Sequence, residues 1–320
     1  MHNTGMDILS DILQQAGLQR RLLDLSSLVP GTALRFPCDK SIGLHAVTQG
    51  QLFLIAPALD QPITLQAGDV ALMARGYEHF LSLENAADAG LIHTVTGRFA
   101  GTPQEPAALV GAQVVSCAYQ FWNTPLHPFL REMPPWLVLR RDSVQSLSPL
   151  AMTIGLLDAE ARHAELGAST IVHGLIDAVF TYALREQLAR QPGNQAGWSL
   201  AVRDPQIRRA LSHLHQDCAK PWTLEALART AGLSRTALAE RFRQALGDTP
   251  LNHLRMLRMQ KAMQLLIDSE QTLEQIAQAV GYQDAFGFSK VFKRTTGLSP
   301  RQFRDQDALT KQTPYRLNRA

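Results

Sequence analysis

Two periodicities divide the chain. From about Ser26 to Val138, short runs alternate apolar with polar residues and are separated by Gly-containing turns: GLHAVTQGQLFLIA, QPITLQAGDVALMARGYEHFLSL, GLIHTVTGRFA and QVVSCAYQFW. A period of two in short runs predicts half-buried strands, and several in succession predict a β-sandwich or small barrel. From 148 to 190 the period lengthens. Val172, Leu175, Ile176, Val179 and Ala183 stand at helical spacing, and Ile171, Phe180, Leu184 and Leu188 widen the same face. So broad a face needs cover on two sides, either from helices packed on the strands or from a second copy of the chain.

Beyond that region a pattern occurs twice. LEALARTAGLSRTALAERFRQALGDTP begins at Leu224, and LEQIAQAVGYQDAFGFSKVFKRTTGLSP begins 49 residues later at Leu273. After the glycines the offset is 50, which keeps Ser234 with Asp284, Phe242 with Phe292 and Pro250 with Pro300. Each copy is a helical run, a glycine turn, a Ser or Asp able to cap a new helix, and a second helical run. Ala228 and Ala277 precede Gly232 and Gly281 by four residues. A small side chain there lets two helices cross closely, and the glycine supplies the positive φ of a short turn. The pattern is a helix-turn-helix, written twice. Two copies are too few for a solenoid, which needs about three to bury a continuous core.

Charge separates the two halves. From Arg203 onward there are 19 Lys and Arg against 11 Asp and Glu, and before it 12 against 17, so a basic half of net +8 and an acidic half of net −5 make up the formal +3 of the 320-residue chain. A basic module fits a polyanion partner through counterion release. The QPGNQAG stretch at 191–197 marks a break before the basic half. The expected organisation is an α+β chain of two domains: a strand-rich domain over 1–147, a helical linker or dimerisation region over 148–200, helix-turn-helix elements suited to DNA over 201–308 and a tail over 309–320. The acidic, amphipathic start MHNTGMDILSDILQQAG lacks the apolar stretch expected of a signal peptide, and no run of 18 apolar residues occurs, so a cytoplasmic location without membrane contact is expected.

Specific strings carry a family resemblance. RMQKAMQLL from Arg258, the second copy continued through PRQFR, and DPQIRRALSHLHQDCAKPWTLEALA upstream resemble the AraC/XylS transcription regulators over about 100 residues, Asp204 to Arg304. That resemblance implies a sequence-specific DNA-binding regulator, an activator that contacts RNA polymerase, with a long helix over Leu251–Leu266 joining two helix-turn-helix motifs. Phe288, Phe292 and Phe303 would then be core. The spacing Gly68-x5-Ala74-x-Gly76-x2-His79, the strand HAVTQG from His45 and the segment 117–139 resemble a cupin, the effector-binding domain found in front of some such regulators.

Carried over by position, the first recognition helix presents Arg235, Thr236, Ala239, Glu240 and Arg243, and the second Ala285, Phe286, Gly287, Ser289, Lys290 and Lys293. Lys290 suits a guanine edge, while Arg243, Lys293 and Arg294 suit phosphates. Leu238, Phe242, Phe288 and Phe292 have the opposite phase and face inward. Phe286 and Gly287 depart from the small or polar pair the family implies. Phe286 packs either on a thymine methyl or on protein.

On the sensor side His45 and His79 are candidate effector contacts, with a pocket drawn from Leu44, Val47, Phe53 and Ile55 and no cofactor. A cupin metal enzyme fused to DNA-binding helices is the rival of another class. Cupin metal sites use a His-x-His pair and a Glu before the second-motif His, and here no His stands at 43 or 47. A further alternative is a thiol switch. Cys38 lies between Arg35 and Lys40, charges that would lower a thiol pKa, and Cys117 lies in the same domain. Cys218 is expected to be structural. No spacing nominates a catalytic triad or a phosphate loop.

Overall fold

The computed structural model describes residues 7–15, 19–38, 41–57, 59–85, 91–95, 110–120, 127–143, 148–163, 165–190 and 197–311. Two compact units interleave along the chain, one built on Gln19–Gln120 and Met133–Gln187, the other on Met1–Leu18, Phe121–Glu132 and Leu188–Pro314.

In the first unit the alternating runs form β1 (Gln19–Leu28), β2 (Thr32–Pro37), β3 (Ser41–Ile55), β4 (Ile63–Gln66), β5 (Val70–Met73), β6 (Glu78–Ser82), β7 (Leu91–Thr94), β8 (Ala112–Gln120) and β9 (Trp136–Leu139). The long β3 is the spine. Its first half lies antiparallel between β8 and β5, and its second half pairs with β4 and β6. The register against β8 slips between Val47 and Gln49, and at such a bulge the inward parity changes. Val47 before the slip and Leu52 and Leu54 after it therefore reach one core, together with Phe36, Leu65, Met73, Leu81, Val114 and Trp136. Among the described residues the product is a curled nine-stranded sheet. Asp69, buried in the turn after β4, accepts hydrogen bonds from the Gln66 and Arg141 backbone N–H groups (3.0 and 2.8 Å) and from the Arg140 guanidinium (3.0 Å), which ties that turn to the end of β9.

The stretch at helical spacing forms α3 (Pro149–His163) and α4 (Ala168–Arg190), numbered after α1 (Ile8–Gln15) and α2 (Pro128–Glu132). The Tyr119 hydroxyl on β8 donates to Asp177 at 2.6 Å and its ring stacks on Phe180 at 4.3 Å, fixing α4 to the sheet. Val172, Ile176, Val179, Phe180, Ala183 and Leu184 are buried within the chain, whereas Ile171 departs from this face and is exposed. Leu175 and Leu188 are half-buried, so most of the broad face read from the sequence is covered within the chain.

In the second unit α5 (Trp198–Arg203) and α6 (Pro205–Gln216) lead into α7 (Leu224–Ala231), α8 (Arg235–Leu246), α9 (Pro250–Asp268), α10 (Leu273–Ala279), α11 (Ala285–Thr296) and α12 (Pro300–Lys311). Side chains of Asp204, Thr223, Ser234, Thr249, Thr272 and Asp284 accept backbone N–H groups at helix starts, as the sequence implies for Ser234 and Asp284. Gly232 and Gly281 have φ of 71° and 83°. At Gly281 a second constraint applies, since a Cβ there would stand 2.3 Å from the Ala219 carbonyl oxygen. α9 contributes Met259, Ala262, Met263 and Leu266 to a core shared with Ile276, Ala277, Phe288, Phe292 and Phe303. Arg258 of α9 donates to the Cys218 and Lys220 carbonyls (2.7 and 2.9 Å) and Arg304 to those of Leu266 and Gln271 (3.2 and 2.7 Å). Cys218 itself is buried.

The same unit encloses an aromatic cluster. His127, His215, His253 and Trp198 are all buried, with ring centroids 5.2–6.4 Å apart. Burial holds His127 and His215 well below the usual imidazole pKa and lowers His253 to about 4.

Candidate nucleic-acid interface

Each second helix of the repeated motif is two-faced. In α8, Leu238 and Phe242 are fully buried, Arg235, Thr236, Glu240 and Arg243 are exposed, and Ala239 is half-buried. In α11, Phe288 and Phe292 are fully buried, Phe286, Lys290, Lys293 and Arg294 are exposed, and Ala285, Gly287 and Ser289 are half-buried. The capping groups set both starts, since Ser234 Oγ accepts from Ala237 N–H at 3.2 Å and Asp284 from Gly287 N–H at 2.7 Å. Unsatisfied N–H groups and the positive end of the helix dipole then lie beside the outward side chains, a favourable setting for phosphate.

The two outward faces differ in chemistry. At the 50-residue offset Arg235 matches Ala285, Thr236 matches Phe286, and Glu240 matches Lys290. The Arg235 guanidinium also donates to Glu225 of α7 at 2.7 Å, a link across the turn that sequence pattern did not single out. Its hydrogen bond holds the Glu225 carboxyl below the usual carboxylate range. Both groups are largely exposed, so the pair orients Arg235 more than it stabilises the fold.

In the strand unit the two candidate histidines meet. His45 faces Ser116 across β3 and β8, and His79 faces Phe36 across β6 and β2. Their Nε2 atoms are 2.7 Å apart. His79 Nδ1–H donates to the Tyr77 carbonyl (2.9 Å), so its Nε2 accepts from His45 Nε2–H, and His45 Nδ1 accepts from the Ser116 hydroxyl (2.8 Å). Both rings are neutral, His45 well below its ordinary pKa and His79 at about 4, chiefly through burial. Phe36 stacks on His79 at 5.1 Å and Trp136 meets it edge-on at 5.0 Å. The Trp136 Nε1–H is buried without an acceptor among the described residues.

Other sensor-side expectations need correction. Val47 reaches the core cluster; Leu44, of opposite parity on the same half of β3, is buried outside that cluster, and Phe53 and Ile55 are only half-buried because the bulge in β3 reverses the alternation beyond Val47. The Cys38 thiol is not lowered by Arg35. That guanidinium donates to Glu78 at 3.0 Å, and burial pushes the thiol up to about 12. Lys40 lies outside the described residues. Cys117 is buried as well. Among the described residues no set of three or more His, Cys, Asp and Glu side chains is arranged to hold a metal.

Comparison with known families closes the assignment. A cupin family model matches residues 7–189, and a helix-turn-helix domain model matches residues 227–306. Across 306 residues the chain is 29% identical to an AraC-like transcription regulator of Streptomyces lividans, covering 93% of this chain and 98% of that protein. It is 30% identical to the HTH-type transcriptional regulator AlkR of Acinetobacter baylyi over 253 residues, 76% of this chain and 81% of that protein. The chain belongs to the AraC-like transcription regulators. A solved C-terminal domain of AraT from Geobacillus stearothermophilus is 34% identical, covering 32% of this AraC-like regulator and 85% of that chain with a TM-score of 0.31. The DNA-binding class of this AraC-like regulator resides in its helical unit, and the curled sheet carries its cupin match. Among the described residues no helix is long and apolar enough to cross a membrane.

Proposed function

We propose that this regulator recognises one operator with α8 and α11 together and that a small molecule held in the cupin domain controls it. The observation that carries the DNA reading is the paired amphipathicity of the two helices, each with a buried Leu-Phe or Phe-Phe face opposite an outward polar or basic one. In this reading Arg235, Thr236, Ala239 and Glu240 of α8 and Ala285, Phe286, Ser289 and Lys290 of α11 face base edges. Arg243, Lys293 and Arg294 hold phosphates. A full-length binding assay against a selected duplex and a random one tests it. Specific binding that weakens steeply with salt is expected. Equal affinity for both duplexes overturns it.

The effector reading is supported by the buried Trp136 indole N–H without an acceptor beside the His45–His79 pair. Buried donors in native folds are ordinarily satisfied, so an effector bearing a hydrogen-bond acceptor and an apolar body suits this core. Family relationship extends the proposal to transcription activation through RNA polymerase. Pairing of two copies is supported by Met152 and Leu156, exposed one turn apart on α3, and by Gly155 and Gly174, whose missing Cβ atoms would meet nothing. Mid-helix glycine is costly without a packing reason, and close approach of another helix supplies one. Leu156→Glu is expected to yield monomers in sedimentation. An unchanged mass distribution removes this surface from the proposal.

A further inference from the structure

The sequence leaves Phe286 with two partners, protein or a thymine methyl, and its exposure favours the second. Phe286 is 83% exposed, while Phe288 and Phe292 of the same helix are fully buried. A phenylalanine this exposed forgoes about 1.5–3 kcal/mol of burial, so a covering partner accounts for its position better than the fold does. Its place in α11 limits what that partner is. Phe286 is the second residue of the helix, beside the cap at Asp284, and Ser289, Lys290 and Lys293 follow it at i+3, i+4 and i+7 along the outward stripe. Next to it Gly287 carries no side chain, and a Cβ there would meet only Asp284, at 3.4 Å. The backbone flank of Phe286 is therefore bare, and the wall of a groove can approach it closely.

We infer that Phe286 specifies a thymine, packing its ring on the C5-methyl group in the major groove. Among the groups that base pairs display there the thymine methyl is the apolar one, and Phe is among the side chains that fit it. The inference rests on α11 being a DNA reader, as proposed above, and deepens it by naming the base that one residue reads. It also makes the two motifs unequal, because α8 places Thr236 where α11 places Phe286 and Glu240 where α11 places Lys290. An operator with unlike halves would then fix the direction in which one chain lies on DNA.

The test uses the full-length protein and a duplex selected by it from a random pool. Each dT in the selected site is replaced singly by deoxyuridine, which removes only the methyl group. At one position the replacement is expected to weaken the wild-type protein about fourfold, the worth of one buried methyl-sized group. At that position Phe286→Ala, itself weakened on the dT duplex, shows no further loss on deoxyuridine. Phe286→Leu, which keeps an apolar contact, retains part of the discrimination. The inference is overturned if no deoxyuridine effect depends on residue 286, or if Phe286→Ala weakens selected and random duplexes alike. Lys290→Ala on the same duplexes keeps the underlying reading separate. If Lys290→Ala relaxes one base preference and Phe286→Ala relaxes none, only the thymine assignment falls. If neither variant changes any preference, α11 is not a reader and both readings fall.

Discussion

Lys290 and Lys293 are three residues apart on α11, yet different duties are proposed for them. Lys290 lies on the first half of the helix, where a recognition helix meets base edges, and Lys293 lies in its last turn. Lys290→Ala is expected to cost about 1–3 kcal/mol on the preferred site and to relax one base preference. Lys293→Ala should weaken every duplex alike and reduce the salt slope by about one. Equal, sequence-blind losses would make Lys290 a phosphate contact. Glycine offers a second contrast at this scale. Gly247 has φ of 68° and nothing near its missing Cβ, so Gly247→Ala carries only the left-handed strain of about 1 kcal/mol. Gly281 adds the clash with the Ala219 carbonyl, and Gly281→Ala is expected to destabilise by about 2–4 kcal/mol. Urea titrations of the two variants check the ordering, and equal midpoints would refute it.

Among the elements, α9 decides how the two motifs work together. Its 19 residues span about 28 Å at 1.5 Å per residue, close to the roughly 34 Å of one DNA turn. Its core residues bind it to the second motif, and Arg258 bonds it back to the carbonyls before the first. A joined pair of readers should occupy two successive major-groove segments about 10 bp apart on one face of the duplex. Hydroxyl-radical footprinting would display that spacing, and protection restricted to one groove segment would contradict the joint reading. The caps that start the helices are separable from DNA contact. Thr272 closes a reciprocal capping box with Gln275, and its loss to Ala is expected to cost about 1 kcal/mol of stability without altering base preference.

For the whole molecule, buried neutral histidines set an acid limit on stability. His79 and His253 are lowered to about 4, and His45, His127 and His215 also lie well below the usual value, each chiefly through burial. Between about pH 6.5 and 4 the unfolded chain takes up protons on these rings while the folded chain refuses them. The unfolded state therefore binds more protons in that window, and stability rises with pH across it. Melting temperature should be flat above about pH 7 and fall as the pH drops toward 4. Replacing His253 by an uncharged residue that keeps the fold should reduce the slope, and an unchanged slope would show that these rings do not govern it.

What sequence determined follows from how local the physics is. Capping at Ser234 and Asp284, the turns at Gly232 and Gly281 and the inward phase of Phe242 and Phe292 depend on neighbours within a few residues, so the repeat announced both motifs. Strand alternation likewise foretold the sheet. Phe53 and Ile55 do not share the core that Val47 reaches because one bulge reverses parity, and the pairing that creates a bulge is not written within the strand. Only tertiary structure joined His45 to His79, since their strands approach across the core from different parts of the sheet. It also decided the environment of Cys38, where burial raises the thiol and the Arg35 guanidinium is engaged by Glu78, and it left Phe286 exposed. Burial and pairing are sums over the whole chain, and no local pattern contains them.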